Sequence, residues 1–431
     1  MADLSHEGHF QVQAAVIGGG PAGLMAAIQS SARGAGTLLL EKMPRPALKL
    51  RLTGKGRCNI TNTSGIEDFL LHFEQQGSFL RNAFHRFFND DLRRFLEDLH
   101  VETVAERGGR VFPVDNRAAT VADALIRHAA ENGAVIECNS RVRRIRSLPG
   151  YGFTLDVEKP GGRLIHLKAE TVVLATGGSS YPATGSTGDG YAIARALGHS
   201  IVAPRPALVP LVTEGKAQRL QGLTLKNVKV TLHMENFERS WTGEMLFTHF
   251  GLSGPVILSA SRHAVEGLES GKTVIVSLDL KPALDDPKLD ARILRELADR
   301  GKQQWKSLLK RMLPARLIPL CCEETGIEET KACHQVTAHD RQALRRWLKD
   351  FRLRVVGHRG WDEAIVTSGG VNLPEVMPKT LESKMVSGLF IAGEVLDLQA
   401  DTGGYNLQAA FSTGWLAGRA AAERAAGRRG G

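Results

Sequence analysis

The sequence lacks any apolar run approaching the roughly 18 residues that a membrane-spanning helix needs. Residues 1–13 also lack the apolar core of a signal peptide. Both absences favour a cytoplasmic protein that has no membrane partner. The 431 residues and the 42% hydrophobic content are those of an ordinary globular protein with two or three domains.

Cysteine and aromatic residues are also scarce. The five cysteines, at positions 58, 138, 321, 322 and 333, do not have the spacing of metal ligands. We therefore predict reduced thiols, with no metal and no disulfide framework. Aromatic residues make up 6% of the chain, and no stretch offers a convincing platform for an unstacked nucleic-acid base.

A glycine motif stands near the start of the chain. The apolar run 14–17 breaks into Gly18, Gly20 and Gly23, which a small-residue run follows. This pattern predicts a strand, a tight turn and a helix. Gly18 lets the turn close, Gly20 leaves room for a pyrophosphate, and Gly23 lets the helix approach the strand, so that the helix amides face the phosphates.

A carboxylate follows the next predicted strand. Residues 37–40 are apolar and end at Glu41, which stands 18 residues after Gly23. In a dinucleotide site this position meets the adenosine ribose, and an unphosphorylated ribose of FAD or NAD fits it better than that of NADP. The glycine-rich segment 184–190 lacks the spacing of a second such motif, so we predict no dedicated nicotinamide domain.

Several other segments carry expectations about structure. The basic loop 42–62 contains two prolines, which should break any helix, and it is well placed to close over phosphates or a flavin ring. The phenylalanine-rich segment 66–100 reads as core helices. Strands at 211–234 and 273–280 predict a small barrel or sandwich, and residues 351–356 and 363–367 predict a hairpin leading back to the first domain.

Positive charge is concentrated in one region. The net charge is +9, and residues 281–360 contain 18 Lys and Arg but only 11 Asp and Glu. The helical stretch 285–349 carries most of them, including Arg345, Arg346 and Lys349. Such a surface invites an anionic partner, although a solvated helical surface explains the same composition.

The C-terminal stretch repeats the pattern of strand, glycine turn and helix. A predicted strand ends at Gly393 and Glu394, and Gly403 and Gly404 precede a helix of small residues. The amino terminus of that helix would face an electron-rich group such as a reduced flavin. Residues 419–431 are expected to fray.

Seven short motifs together resemble one family. They are VIGGGPAG at 16–23, TGKGRCNITN at 53–62, ATGG at 175–178, FTHFGLSGP at 247–255, VTSGGV at 366–371, GEVLD at 393–397 and GGYN at 403–406. In these motifs the chain resembles the BaiN/RdsA-like NAD(P)/FAD-dependent flavoproteins over essentially its whole length. The family's first loop often has glycine where this chain has Lys55.

The resemblance implies an α/β protein with a discontinuous Rossmann-like FAD-binding domain, an inserted β-barrel domain and a small helical subdomain. We place the FAD-binding domain at 1–203 and 368–431, the barrel insert at 204–284 with return strands at 351–367, and the basic helical subdomain at 285–350. Activities described for the family include reduction of activated double bonds in small molecules, oxidation of an aminoketone, and conversion of a uridine of large-subunit ribosomal RNA to dihydrouridine.

The predicted cofactors are FAD and, as a transient reductant, NAD(P)H. Residues predicted to bind FAD are Gly18, Gly20, Pro21, Ala22, Gly23, Glu41, Lys42, Thr53, Gly54, Gly56, Arg57, Cys58, Asn59, Val142, Ala175, Thr176, Gly177, Gly393, Glu394, Gly403, Gly404, Tyr405, Asn406 and Leu407. For Arg57 a surface ion pair is the alternative interpretation.

Reduction of a conjugated C=C bond also needs an acid and donors for the carbonyl oxygen. The predicted catalytic residues are Cys58, His249 and Tyr405. A buried packing role is the alternative for Cys58, and a structural role is the alternative for His249.

The leading predicted substrate is a ribosomal RNA uridine, which the basic residues of 285–360 would help to bind. The alternatives are a small-molecule flavoenzyme, either an ene-reductase or an aminoketone oxidase that releases hydrogen peroxide, and a non-enzymatic RNA or assembly factor that flavin stabilises.

Overall fold

The computed structural model describes residues 10–148, 152–299 and 301–427. Residues 1–9, part of the segment that lacks an apolar core, lie outside this range, as do residues 428–431 of the tail. The described chain divides into two compact units. We call residues 10–206 with 361–427 the discontinuous unit, and residues 207–360 the inserted unit.

Strands occur in both units. In chain order they are β1 Phe10–Ile17, β2 Thr37–Leu40, β3 Thr61–Asn62, β4 Thr103–Ala105, β5 Arg110–Pro113, β6 Val135–Glu137, β7 Arg141–Leu148, β8 Gly152–Glu158, β9 Leu164–Leu174, β10 Ile201–Ala207, β11 Leu211–Thr213, β12 Thr224–Met234, β13 Phe237–Phe247, β14 Gly251–Ser253, β15 Val274–Asp279, β16 Phe351–His358, β17 Val366–Val371 and β18 Leu389–Ile391.

Helices separate many of these strands. They are α1 Pro21–Ser31, α2 Leu48–Leu52, α3 Ile66–Leu71, α4 Gly77–Arg86, α5 Asn89–Asp98, α6 Ala118–Glu131, α7 Asp189–Ala196, α8 Pro255–Glu269, α9 Asp286–Ala298, α10 Trp305–Met312, α11 Ile318–Thr325, α12 Ala338–Lys349 and α13 Tyr405–Gly427. None of the described helices is both long enough and apolar enough to span a membrane.

The discontinuous unit is built on a mixed sheet in the order β6-β2-β1-β9-β8-β7, with β18 added beside β9. Strands β6, β2, β1, β9 and β18 run parallel to one another, whereas β8 pairs antiparallel with both β9 and β7. The alignment is such that Ile17 pairs with both Leu40 and Leu174, and Leu174 pairs with Ile391. Four parallel strands therefore end side by side, at the edge where open α/β sheets bind ligands.

The two ends of the chain meet in this unit through helices α1 and α13. A Cβ atom added to Gly414 would lie 2.2 Å from the Ala22 carbonyl oxygen, and one added to Gly418 would lie 2.2 Å from that of Ala26. Only glycine allows the helices to approach so closely at these two positions. Helix α13 continues to Gly427, so the expectation of fraying from residue 419 was wrong.

The phenylalanine-rich segment forms core, as predicted. Phe69, Phe73 and Phe84 are fully or almost fully buried on or beside helices α3 and α4. Their rings pack edge-to-face or tilted against one another, with centroids 5.3 Å apart for Phe69 and Phe84. These rings therefore stabilise the discontinuous unit.

The inserted unit contains a closed antiparallel barrel in the order β11-β14-β13-β12-β15-β16. Its interior and helices α9 to α12 share one apolar core, to which Phe247, Leu278, Trp305 and Leu348 contribute. A barrel or sandwich followed by basic helices was predicted, and the structure confirms the barrel and the helices.

Two local predictions were wrong. The strands near 351–367 do not form a hairpin, because β16 closes the barrel between β11 and β15 whereas β17 pairs with β10. Alternating residues identify a strand but do not identify its partner. Loop 42–62 also contains helix α2, which begins at Leu48, after both prolines, so they precede the helix instead of breaking it.

Candidate active site

The first glycine turn has the form that a bound pyrophosphate requires. Gly18 has a φ of +101°, and an added Cβ would lie 2.5 Å from the Ala175 carbonyl oxygen; at Gly23 it would lie 1.8 Å from that of Gly18. At Gly20, by contrast, an added Cβ would meet no atom within 4 Å. Helix α1 begins next to this open space at Pro21, without a side-chain cap or an acidic residue in its first turn. The residues therefore fit a dinucleotide phosphate.

Glu41 is held at the end of β2 beside this turn. Its Oε2 accepts a hydrogen bond from the Gly19 amide at 2.7 Å, and its Oε1 accepts one from the Met43 amide at 2.8 Å. Burial raises the pKa of this carboxyl group. The Ser140 amide donates to the Glu41 carbonyl at 2.9 Å. This hydrogen bond places the segment that leads to the buried Val142 next to the end of β2. Glu41 thus stands at the end of β2, as predicted, and its contact with a ribose stays a prediction.

Lys42 belongs to a network of charged groups. Its Nζ lies 2.9 Å from Asp189 Oδ2 and also donates to Thr187 Oγ1 at 2.5 Å. The guanidinium of Arg141 lies 2.9 Å from the other oxygen of Asp189. This network joins the residue after Glu41 to the first turn of α7, and its link to a cofactor stays a prediction.

The loop that contains Thr53, Gly54, Gly56 and Asn59 has unusual backbone angles. Gly54, Lys55, Gly56 and Cys58 all have φ between +58° and +85°. Lys55 is exposed and lies in the left-handed region, where a residue with a Cβ atom is sterically disfavoured relative to glycine.

Cys58 and Arg57 have surroundings that bear on their predicted roles. The Cys58 side chain has no exposed surface, and burial raises the pKa of its thiol to about 12. The Arg57 guanidinium donates to Asn116 Oδ1, forms an ion pair with Glu106 and lies 4.2 Å from the Phe112 ring centroid. Arg57 therefore makes an ion pair of the kind that the alternative interpretation describes. The catalytic role of Cys58 stays a prediction.

The C-terminal glycine turn packs against this loop. A Cβ added to Gly404 would lie 2.3 Å from the Thr61 carbonyl oxygen, and Asn62 Nδ2 donates to the Gly403 carbonyl at 3.2 Å. Asn406 braces the same turn by accepting from the Ala400 amide at 2.8 Å. The motifs at 53–62 and 403–406 are therefore in contact, next to the amino terminus of α13, whose first residues are Tyr405, Asn406 and the partly buried Leu407.

Tyr405 is part of a cluster that the sequence did not reveal. Its ring stacks on His72 with centroids 3.8 Å apart and an interplanar angle of 20°. His72 Nδ1 lies 3.1 Å from Asp401 Oδ2. Burial raises the pKa of the Tyr405 hydroxyl, which keeps it protonated at neutral pH. Asp401 stands two residues before Gly403 and could have been found from that motif, but nothing in the sequence marks His72.

Glu394 is the centre of a second unpredicted cluster. Its carboxylate accepts hydrogen bonds from Lys49 Nζ at 2.7 Å, from Ser180 Oγ at 3.0 Å and from the Thr367 amide at 2.8 Å. The neighbouring Gly393 has a φ of +77°, and an added Cβ would lie 2.7 Å from the Ala22 Cβ. Ser180 and Thr367 stand in or beside quoted motifs, whereas Lys49 gave no signal beyond its place in a basic loop.

The remaining predicted residues of this edge follow β9. Gly177 has a φ of +72°, and Thr176 lies against Gly190, where an added Cβ would come within 2.0 Å of the threonine Oγ1. Ala175, Thr176 and Gly177 thus continue from the strand that stands beside β1. Their contact with a cofactor stays a prediction.

His249 belongs to the inserted unit. It is exposed between β13 and β14, and its ring lies edge-on to Phe250 with centroids 5.0 Å apart. The turn is closed by the Thr248 amide, which donates to the Gly251 carbonyl at 2.8 Å. Its predicted catalytic role stays a prediction.

Many basic side chains of the inserted unit have acidic partners. Arg345 lies 2.9 Å from Asp286, and Lys349 pairs with Asp279 and donates to the Leu284 carbonyl. Similar ion pairs join Arg341 to Asp290, Lys331 to Asp340 and Arg311 to Glu296. Among the residues described, Lys302, Lys306, Lys310 and Arg346 have no ion pair or side-chain hydrogen bond.

Known proteins match the chain over almost all of its length. The family model described as "HI0933-like protein Rossmann domain" matches residues 12–420. The 3-dehydro-bile acid delta(4,6)-reductase of Clostridium scindens is 33% identical over 95% of this chain and 98% of its own. The ribosomal RNA dihydrouridine synthase of Escherichia coli is 30% identical over 93% of this chain and 96% of its own.

A solved structure supports the fold. The open conformation of a flavocytochrome c3 fumarate reductase is similar over 96% of this chain and 79% of its own, with a TM-score of 0.52 and 18% identity. Together, the fold and the site define an FAD-dependent oxidoreductase of the Rossmann type. The chain belongs to the HI0933-like family, as the resemblance to BaiN/RdsA-like flavoproteins predicted.

Proposed function

We propose that the protein uses NAD(P)H to reduce a C=C bond conjugated to a carbonyl group. The single observation that carries this proposal is the meeting of four strand ends with two glycine turns in the discontinuous unit. The residues there would hold FAD through the open space at Gly20, the carboxylate of Glu41 and the amino terminus of α13. When bound, FAD supplies hydride transfer between the nicotinamide and the substrate.

Tyr405 is the proton donor that the geometry supports best. Reduction of a conjugated C=C bond adds a hydride to the β-carbon and a proton to the neighbouring carbon. A phenol hydroxyl carries a proton at neutral pH, and the stacked His72, held by Asp401, fixes the ring of Tyr405. Tyr405 keeps 6% of its surface exposed, whereas Cys58 has no exposed surface.

The leading substrate is a uridine of large-subunit ribosomal RNA, in which the hydride would be added to C6 of uracil. Two relatives, from Escherichia coli and Haemophilus influenzae, bear the name ribosomal RNA dihydrouridine synthase, and each is 30% identical to this chain. Lys302, Lys306 and Lys310 add unpaired positive charge on and next to α10, which suits a phosphate backbone. An RNA substrate also implies a cytoplasmic location.

The test is mass-spectrometric mapping of ribosomal RNA from cells with and without the gene. We expect one dihydrouridine to disappear on deletion and to return with the wild-type gene but not with the Tyr405→Phe variant. An unchanged modification pattern would contradict the RNA substrate. Purified protein should also consume NAD(P)H only when an acceptor with a conjugated C=C bond is present, and a failure there would contradict the proposed reaction.

The second candidate is a small-molecule ene-reductase. Two observations favour it: the basic residues Arg345 and Lys349 are engaged in ion pairs, and a relative named as a bile acid reductase is 33% identical. Turnover of a small conjugated ketone by the purified enzyme, with intact dihydrouridine in the deletion strain, would favour this candidate. Oxidation of an aminoketone with release of hydrogen peroxide would instead favour the oxidase.

A further inference from the structure

Lys49 connects the first glycine turn to the last strand of the sheet. Its helix, α2, follows Ala47, whose amide donates to the Gly19 carbonyl at 2.9 Å. The side chain extends from there to Glu394, with Nζ 2.7 Å from Oε2 and 3.0 Å from Oε1, and to Ser180 Oγ at 2.6 Å. All three donor positions of the ammonium group point to partners at the strand edge that forms the candidate site.

The charge of Glu394 depends on this contact. The side chains of Lys49 and Glu394 are only 19% and 21% exposed. The Ser180 hydroxyl and the Thr367 amide also donate to the carboxylate, but among the residues that the structure describes Lys49 is the cation in contact with it. A partly buried carboxylate that loses its counter-charge is costly, and it repels other negative groups nearby.

We propose that Lys49 is a positioning residue for the cofactor. It fixes the Glu394 carboxylate at the end of the sheet and cancels its charge, so that the dianionic pyrophosphate of FAD can bind beside Gly393 and Ala22 without repulsion. This inference rests on the proposed function only in taking FAD as the ligand. It assigns to Lys49 a role that acts through Glu394.

The experiment is a double-mutant cycle on FAD affinity, measured by quenching of flavin fluorescence when FAD is titrated into the apoprotein. Lys49→Met should weaken FAD binding about 10-fold or more, because Glu394 becomes an uncompensated charge. Lys49→Arg should restore most of the affinity. In a Glu394→Gln background, Lys49→Met should have little further effect.

The matched control is Arg51→Met, which removes another cation of α2 whose partner is Asp123. We expect its FAD affinity to stay within about twofold of wild type. Thermal unfolding of each apoprotein identifies variants that lose FAD affinity because they unfold. If Lys49→Met alone is unstable, the protein with both Lys49→Met and Glu394→Gln, which has no unpaired charge at this position, is compared with Glu394→Gln instead.

Two results would overturn the inference. One is a Lys49→Met protein that binds FAD as tightly as wild type does. The other is a loss of FAD affinity on Lys49→Met that is the same in the wild-type and Glu394→Gln backgrounds, because a lysine with a purely structural role would give additive losses. Failure of the wild-type protein to bind FAD would instead overturn the proposed function.

Discussion

The two units of the molecule use their charged residues in different ways. In the discontinuous unit, Lys49 and Lys42 reach carboxylates that are 345 and 147 residues away in the chain, at or near the edge where the parallel strands end. In the inserted unit, Arg345 and Lys331 pair with acids on neighbouring helices. Charge is part of the candidate site in the first unit and mainly stabilises helix packing in the second.

A glycine motif and an excess of positive charge carry unequal information about structure. Gly18, Gly23 and Gly404 are required by backbone contacts under 3 Å, which leave no alternative residue. An excess of Lys and Arg over 281–360, in contrast, is compatible with many arrangements, and several of these basic side chains, such as Arg341, Arg345 and Lys349, form ion pairs within the unit.

The largest expected effect concerns chemistry in the discontinuous unit. Tyr405→Phe should lower turnover about 100-fold or more, because it removes the proposed proton donor. FAD absorbance of the purified protein should stay unchanged, since the ring and its contact with His72 remain. Stopped-flow reduction and reoxidation of the flavin would measure this. A larger loss of turnover in His249→Asn than in Tyr405→Phe would indicate that the proton donor belongs to the inserted unit, which would contradict the difference between the two units.

The next effect concerns the open space at the first turn. Gly20→Ala should weaken FAD binding by about 10- to 100-fold, since the new methyl group would occupy room that the pyrophosphate needs. Gly65→Ala is the matched control, because Gly65 is also an extended helix-capping glycine with nothing within 4 Å of an added Cβ. We expect the unfolding temperatures of the two apoproteins to change equally. Equal losses of FAD affinity in the two variants would contradict the assignment of Gly20 to the pyrophosphate site.

A smaller effect separates paired from unpaired basic residues in the inserted unit. Arg345→Glu with Lys349→Glu should destabilise the protein by about 1–3 kcal/mol, because the attraction of both side chains to their acidic partners becomes repulsion. Lys306→Glu with Lys310→Glu should leave the free energy of unfolding almost unchanged. Urea titration measures both.

The variant with both Lys306→Glu and Lys310→Glu also tests RNA binding. If RNA is the substrate, these changes should lower the slope of log affinity against log salt concentration by about 1 for each phosphate that the protein no longer binds. An unchanged slope would mean that α10 does not contact RNA.

The smallest effect comes from Lys55. Lys55→Gly should stabilise the protein by about 0.5 kcal/mol, because the steric cost of the left-handed conformation slightly exceeds the entropy that glycine loses on folding. Lys310→Gly, inside helix α10, should act in the opposite direction by about 1 kcal/mol. Thermal unfolding shows whether each substitution stabilises or destabilises the protein. If Lys55→Gly is destabilising, the Lys55 side chain makes contacts that outweigh the backbone strain.

Local sequence patterns predicted much of the discontinuous unit. Strand β2 was predicted with the observed bounds, and Gly18 and Glu41 stand where the turn and the strand end required them. These features depend on residues that are neighbours in the sequence, so a short sequence pattern is enough to predict them. The barrel was also recognisable from its alternating strands.

Other features depend on contacts between distant residues and could not be predicted. Lys49 meets Glu394 and His72 meets Asp401 only because the sheet brings the two ends of the chain together. The partner of β17 was missed for the same reason, since a strand's own residues do not say which edge it joins. Helix α2 was missed because prolines just before a helix look like prolines inside one.

The close packing of α13 on α1 has a consequence for biosynthesis. Chains emerge from the ribosome amino terminus first, and early segments begin to fold before later ones exist. Gly414 and Gly418 of α13 pack against the backbone of α1, so this surface of α1 stays uncovered until α13 has been translated. A chain truncated before α13 would therefore leave this part of the α1 backbone uncovered and would also lack the packing partner that Gly414 and Gly418 provide.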